Sequence, residues 1–331
     1  NGQSNNQRPP HMPKPFPTPL YALCLFLVAC VGSASAQDDF KVVGYYSLRS
    51  ALENPKDVPF KRLTHINLWF LNPDTLGNFT QDLSGLQPFI EKAHRKNVKV
   101  LFSIGGGSKQ KQYHKLLQDE HRPALVGNLV DIALKYNVDG IDVDLEGSDI
   151  DDRYEDFVVE LAKALRQHQK MITAAIAVYY KDQLSDRALS QYDFVNVMSY
   201  DRTGPWRPEK PGPHSLLEHA EDDLEYFGTV RNIPREKMTL GVPFYGYGYG
   251  PELTSPAISM NYGEIVSTFS GAEHVDQWTR DDGKIIYYNG IPTIRKKTEL
   301  AGEKASGIMI WQIRGDAKGS KSLLRAIHKA R

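Results

Sequence analysis

One ten-residue stretch gathers acids at a spacing suited to chemistry: Val138-Asp139-Gly140-Ile141-Asp142-Val143-Asp144-Leu145-Glu146-Gly147. In an extended strand, successive side chains point to opposite faces. Asp142, Asp144 and Glu146 therefore share one face, and Ile141, Val143 and Leu145 share the other. A buried row of three like charges is costly unless protons or hydrogen bonds compensate it. The spacing predicts that Asp142 and Asp144 share a proton, and that their field raises the Glu146 carboxyl so that it stays protonated near neutral pH. An acid in that state can protonate a leaving oxygen, as glycoside cleavage requires.

Two other readings of the same acids compete. Clustered carboxylates can hold Mg²⁺, but no His pair stands at ligand spacing near this stretch. Gly105-Gly106-Gly107 also lacks the Lys-Ser/Thr that completes a phosphate-cradling loop. No metal and no cofactor are expected. A solvated edge strand could carry alternating acids, yet this run lies mid-chain between two apolar helical segments.

The elements that must position these acids recur along the chain. Short β-rich apolar runs fall at 42–47, 64–71, 98–104, 140–145, 172–178, 194–200, 239–245 and 307–313. Amphipathic stretches at 86–96, 124–136, 154–169, 215–227 and 320–330 have helical spacing. Strand-then-helix alternation implies parallel strands with right-handed crossovers. Eight such units predict an α/β fold closed as a (β/α)8 TIM barrel, with an open doubly wound sheet as the alternative. Residues 249–305 are longer than one helix and read as a short insertion or hairpin before the last strand. In a barrel the aliphatic face of the acidic strand packs outward, so the carboxylates point inward with Glu146 at the C-terminal mouth.

The first 36 residues are read apart from the fold. Met12 is a candidate start, residues 20–31 form an apolar run too short to span a bilayer, and Ala34-Ser35-Ala36 fits a signal-peptidase site. The expectation is a leader at 1–36 and one catalytic domain at 37–331, secreted or periplasmic. Leu27-Val28-Ala29-Cys30 supports the alternative of a lipoprotein anchored through Cys30. Both cysteines, Cys24 and Cys30, lie in the leader, so the remaining 331 − 36 = 295 residues make no disulfide and use no thiolate. The formal charge of zero becomes −2 once Arg8 and Lys14 are removed, which offers no basic surface for nucleic acid. No feature calls for a protein partner, and a monomer is expected. Asn78-Phe79-Thr80 fits a glycosylation sequon.

The motif Asp139-x-x-Asp142-x-Asp144-x-Glu146 resembles the signature of the family-18 glycoside hydrolases, the chitinase group. Other motifs fall in the same order. Gly44-Tyr45-Tyr46 lies on the first strand, and Phe70 follows Thr64-His65-Ile66-Asn67 on the second. Ser103-Ile104-Gly105-Gly106 is on the third, Met198-Ser199-Tyr200-Asp201 on the sixth and Gly307-Ile308-Met309-Ile310-Trp311 on the eighth. The resemblance spans about residues 41–316.

It implies hydrolysis of β-1,4-linked N-acetylglucosamine polymers with anomeric retention, by a substrate-assisted route that departs from the two-carboxylate scheme. By similarity, Glu146 is the general acid and base, and Asp144 holds the acetamido N–H. Asp142 shares a proton with Asp144 and turns it toward the substrate, while Tyr200 donates to the acetamido carbonyl. Trp311 forms an apolar floor under the sugar. Tyr45, Phe70 and Met198 shape the pocket, and Asp201 accepts a sugar hydroxyl or supports the site. Asp139 and Ser103, with Gly105 and Gly106, belong to the supporting motif. Trp206, on the loop after the sixth strand, offers a face for a sugar ring. Some family members carry Arg where Tyr247 stands. The short interval before the last strand implies an open groove suited to endo cleavage. Three alternatives remain: an endo-β-N-acetylglucosaminidase acting on N-glycan cores or bacterial wall glycans and a metal-dependent phosphodiesterase, which share the same strand, and a chitin-binding lectin, which shares the barrel but typically lacks the acid at the position of Glu146.

Overall fold

Strands built from Val, Ile, Leu and Met alternate with helices of matching apolar face, and both bury those faces between them. The computed structural model describes residues 1–4, 7, 10–12, 40–53, 58–250 and 257–331. The chain divides into two units, 1–38 and 39–331. The described residues of the first have no regular secondary structure. The leader expectations for residues 13–36, both cysteines included, lie outside the described residues.

In the second unit the barrel strands are β1 (Lys41–Ser47), β2 (His65–Trp69), β3 (Lys99–Gly105), β4 (Gly140–Asp144), β5 (Met171–Ile176), β6 (Phe194–Val197) and β7 (Met238–Pro243). After β8 (Tyr245–Tyr249), β9 (Ile258–Asn261), β10 (Gln277–Thr279) and β11 (Ile285–Tyr287) comes the last barrel strand, β12 (Gly307–Trp311). Seven parallel neighbours and the β1–β12 seam close the barrel in the order β1-β12-β7-β6-β5-β4-β3-β2. This is the expected (β/α)8 architecture.

The helices are α1 (Leu48–Glu53), α2 (Gln87–His94), α3 (Gln112–Leu116), α4 (Arg122–Lys135), α5 (Tyr154–Gln167), α6 (Asp186–Gln191), α7 (Leu217–Glu225), α8 (Tyr262–Thr268), α9 (Ile291–Lys304) and α10 (Leu323–Ala330). Among the described residues none is long and apolar enough to cross a membrane. Helix α5 shows why they form where they do. Its buried residues Tyr154, Phe157, Val158, Leu161, Ala162 and Leu165 keep helical spacing, and Glu155 and Asp156 sit in its first turn, where the helix dipole favours acids.

Two apolar layers result. Ile141, Val143 and Leu145 lie in the large outer core with the helix faces. A smaller inner cluster of Val43, Tyr45, Ala175, Phe194, Tyr200 and Met309 fills the barrel. The period-two reading of β4 is thereby realised, with aliphatics outward and acids inward.

The interval before the last strand holds more than a hairpin. β8 to β11 form an antiparallel sheet in the order β10-β11-β8-β9, accompanied by the seven-residue α8. The Tyr-Gly-Tyr-Gly-Tyr segment is an inner strand of that sheet and does not extend β7. Helix α9 then leads into β12. Its buried face includes Lys297 and Thr298 beside Ile294, Leu300 and Ala301, so apolar periodicity understates it.

Candidate active site

The barrel places the acids as a column. Asp142 and Asp144 are the last inward positions of β4, and Glu146 continues the extended backbone at φ −126°, ψ 146°. Asp142 is fully buried, and every neighbour on it is a donor. Oδ2 accepts from the Tyr45 hydroxyl at 2.6 Å and from Ser103 Oγ at 2.8 Å. Oδ1 accepts from Thr173 Oγ1 at 2.6 Å and from Asn196 Nδ2 at 3.4 Å. Asn196 is itself aimed by Thr239, whose Oγ1 donates to its Oδ1 at 2.8 Å.

The expected proton shared between Asp142 and Asp144 has no hydrogen bond between the two carboxyls in this structure. Hydroxyl and amide donors already occupy both Asp142 oxygens. Tyr45 likewise serves the carboxylate: it is 1% exposed, and its hydroxyl is committed to Asp142. The same four donors leave Asp142 no free lone pair for a cation. Among the described residues no group of three or more His, Cys, Asp or Glu is arranged to hold a metal ion.

Asp144 differs. It is buried, and its Oδ1 has no partner. Burial first, then the negative charges of Glu146 and Asp142, hold its carboxyl well above the usual range. Glu146 is pushed up to about 7, first by burial and then by the charges of Asp201 and Asp149. The charges that raise Glu146 thus come from loop acids, where the strand's own acids were expected to supply them. Asp149 is held by the Gln110 backbone N–H, which donates to it at 2.8 Å.

Tyr200 follows β6 and is 5% exposed. The partner of its hydroxyl is the Met309 thioether, at 3.8 Å, and among the described residues no oxygen or nitrogen accepts from it. Asp201 sits beside it in the left-handed region, at φ 60°. Its Oδ1 accepts from the hydroxyls of Tyr245 at 2.5 Å and Tyr247 at 3.1 Å, and His214 Nδ1 lies at 3.2 Å. Asp201, Tyr245, Tyr247, Ser259, Asn261, Trp311 and Gln312 line a cavity of about 190 Å³ between the barrel mouth and the small sheet.

The apolar floor is an aromatic group. Trp311 stacks on Phe70 with ring centroids 5.9 Å apart at 24°, and touches Trp69 and Tyr45 at 5.3 Å each. Two glycines let this floor approach the acids. A Cβ on Gly106 would stand 2.4 Å from the Phe70 ring, and one on Gly105 would stand 2.3 Å from the Asp144 carbonyl oxygen. Both have φ near +100°, at 98° and 102°, a region that favours glycine. Asn72 fastens Gly105 by donating to its carbonyl and accepting from its N–H, at 2.9 and 2.7 Å.

The remaining expected residues are dispersed around this centre. Met198 is partly buried against both cores. Trp206 is 57% exposed at the mouth, edge-on to Tyr247 at 5.7 Å. Asp139 lies at the other end of β4, where it accepts from the Val100 N–H and pairs with His94, each at 2.8 Å.

Sequence reasoning missed Trp69, Thr173, Asn196, His214 and Asp149, and it read Tyr245 only as aromatic surface, not as a partner of Asp201. Period two could have found Trp69, which follows His65 and Asn67 on one face of β2. Thr173 and Asn196 are inward positions of β5 and β6 and were open to the same reasoning. His214, Tyr245 and Asp149 come from loops or from the inserted sheet, where no periodicity points to them.

The model of the family described as glycosyl hydrolases family 18 matches residues 41–316. Among solved structures, the GH18 chitinase ChiB from the chitin utilization locus of Flavobacterium johnsoniae is 37% identical, with a TM-score of 0.79 over 88% of this chain and 94% of that one. A chitinase from Bacteroides thetaiotaomicron is 26% identical, with a TM-score of 0.75 over 88% and 96%. A chitinase-like mite allergen of Dermatophagoides farinae is 29% identical over 256 residues, 71% of this chain and 52% of the allergen. The chain spans about half the length of the curated relatives it matches.

Proposed function

The chain belongs to family 18 of the glycosyl hydrolases, and from that premise we propose that it hydrolyses β-1,4-linked N-acetylglucosamine polymers by substrate assistance, with Glu146 as general acid and base. One observation carries the reading. A carboxyl poised at about 7 stands beside an Asp144 carboxyl oxygen and a phenol that both lack nitrogen or oxygen partners among the described residues. An acetamido group supplies the two complements, an N–H for Asp144 and a carbonyl for the Tyr200 hydroxyl.

Held so, the acetamido oxygen attacks the anomeric carbon as the glycosidic bond breaks and Glu146 gives its proton to the leaving oxygen. The resulting oxazolinium cation lies against Asp144. Glu146, now a carboxylate, takes a proton from water as that water adds to the anomeric carbon from the face the leaving group vacated, and the bond from that carbon to the acetamido oxygen breaks to restore the acetamide. Two inversions give net retention. Asp142 touches none of the reacting atoms in this scheme and fixes the base of the column through its four donors. Positioning and a preorganised field are the main contributions. Trp311, Phe70 and Trp69 offer an apolar floor to the sugar, and the exposed face of Trp206 extends it toward a neighbouring ring. Export by the N-terminal leader would bring the enzyme to a polymer outside the cell, and N-terminal sequencing of the exported protein tests it by reading Gln37 first.

The catalytic reading is tested with a chromogenic N,N′-diacetylchitobioside, with and without EDTA, wild type beside Glu146→Gln. Turnover that survives EDTA and disappears in the variant is expected, with the β-anomer first by NMR. Turnover of comparable rate in Glu146→Gln refutes the mechanism. A well-folded but inactive wild type that binds chitin returns the lectin reading.

A further inference from the structure

Lys297, on α9, is 0% exposed. Its Nζ donates to the Ser215 carbonyl at 2.8 Å, to Ser215 Oγ at 2.7 Å and to Asn289 Oδ1 at 2.9 Å. All three acceptors are neutral. Among the described residues no carboxylate is ion-paired with it. Asp276, Asp223 and Glu218 act only through space, and burial pulls the ammonium down to about 7. A neutral apolar side chain would fill this space at lower desolvation cost. The three aimed hydrogen bonds are what an apolar side chain could not supply.

They converge on the neck of one loop. Ser215 Oγ donates onward to the Ser199 carbonyl at 2.7 Å, and Asn289 Nδ2 also donates to the Ser215 carbonyl at 2.8 Å. The Arg202 N–H donates to the His214 carbonyl at 3.1 Å, and His214 Nδ1 contacts Asp201 at 3.2 Å. Residues 199–202 and 214–215 are thus clasped together, with Tyr200 and Asp201 on one side and Trp206 on the loop between.

We infer that Lys297 is a positioning residue: through Ser215 it clamps the neck of the 199–215 loop and so fixes Tyr200 and Asp201 relative to Glu146. The inference rests on the hydrolase reading above for its kinetic consequence. Asp201 supplies the leading charge acting on Glu146, and that influence weakens as the carboxylate moves away.

Lys297→Met, Asp201→Asn and the double variant are compared with wild type by peptide-level hydrogen exchange and by kcat/KM against pH. In Lys297→Met, exchange is expected to quicken across 199–215 while the barrel strands keep wild-type protection. The alkaline limb moves to lower pH, and kcat/KM falls about tenfold or more. In the Asp201→Asn background, Lys297→Met moves the limb no further. If Lys297→Met does not fold, Ser215→Ala takes its place with the same expectations. Unchanged exchange in the loop overturns the clamp, and quicker exchange with an unmoved limb overturns the positioning role. An inactive wild type sinks the hydrolase reading alone, and loop exchange still decides the clamp.

Discussion

Replacing Glu146 by Gln should make the protein more stable, and only above a certain pH. The ordinary glutamate value is 4.5, and in the folded barrel the group is pushed up to about 7. Between those values the folded protein holds a proton that the unfolded chain has lost. Raising the pH through that window therefore weakens folding. The difference is 7 − 4.5 = 2.5 units, and at ~1.36 kcal/mol per unit it amounts to about 3 kcal/mol. Glu146 also raises Asp144, so its removal relieves a second buried carboxyl and adds to the gain. Urea unfolding of both proteins across the pH range checks this. The stabilities should coincide on the acid side of the glutamate value. Above about 7 the Gln variant should lead by at least about 3 kcal/mol. Its turnover should fall by ~10² to 10⁴. A gap that does not change with pH, or one that favours wild type on the alkaline side, would refute the buried-acid account. So would a wild-type alkaline limb at the ordinary glutamate value.

Asp144→Ala and Asp142→Ala should separate activity from stability. Asp142→Ala leaves the Tyr45, Ser103 and Thr173 hydroxyls buried without their acceptor, at about 1–3 kcal/mol each, and the urea midpoint reads the loss. Asp144→Ala removes a carboxylate whose Oδ1 has no partner, so it should cost little stability and damage turnover more. The reverse ranking in turnover means the two roles are exchanged. Asp201→Asn should shift the alkaline limb of kcat/KM to lower pH, since it deletes the leading charge that holds Glu146 up; an unmoved limb shows that Asp201 does not set it. Trp206→Ala, at a 57% exposed site, should leave stability within ~0.5 kcal/mol and raise KM for oligosaccharides about fivefold. An unchanged KM removes Trp206 from the substrate path. Gly106→Ala should cost ~1–3 kcal/mol and displace Phe70, read by thermal unfolding and KM together, because its φ is 102° and its Cβ would meet the ring at 2.4 Å. Wild-type values for both refute the contact.

The barrel was legible because a parallel strand buried on both faces still alternates. Ile141, Val143 and Leu145 needed helices, and Asp142, Asp144 and Glu146 needed an interior, so one segment implied both layers. What sits around Asp142 was not legible in the same way. Ser103, Thr173, Asn196 and Tyr45 come from four other strands, and their register is set only when the barrel closes. The alternation along β4 groups the carboxylates but does not reveal the hydroxyls from other strands that serve Asp142. Helix α9 escaped because Lys297 and Thr298 occupy its buried face. His214 and Tyr245 reach Asp201 from 13 and 44 residues away, from a loop and from the inserted sheet, and no local pattern encodes such contacts.

One strand thus carries three carboxyls in three environments, and the differences follow from their depth. Asp142, deepest, is ringed by donors. Those hydrogen bonds favour its ionised form and oppose the burial that raises it. Asp144, one step higher, has no such ring, and burial acts on it with like charges on either side. Glu146, at the mouth, meets the loop acids Asp201 and Asp149, and its carboxyl is moved to about 7, where it can give a proton and take one back. Neither charge that acts on it is positive. The hydroxyls of Tyr245 and Tyr247 bind Asp201 without cancelling its charge, as an arginine at the Tyr247 position would do in part. The tyrosine therefore leaves Asp201 free to raise Glu146, and Tyr247→Arg should lower the alkaline limb in the same direction as Asp201→Asn.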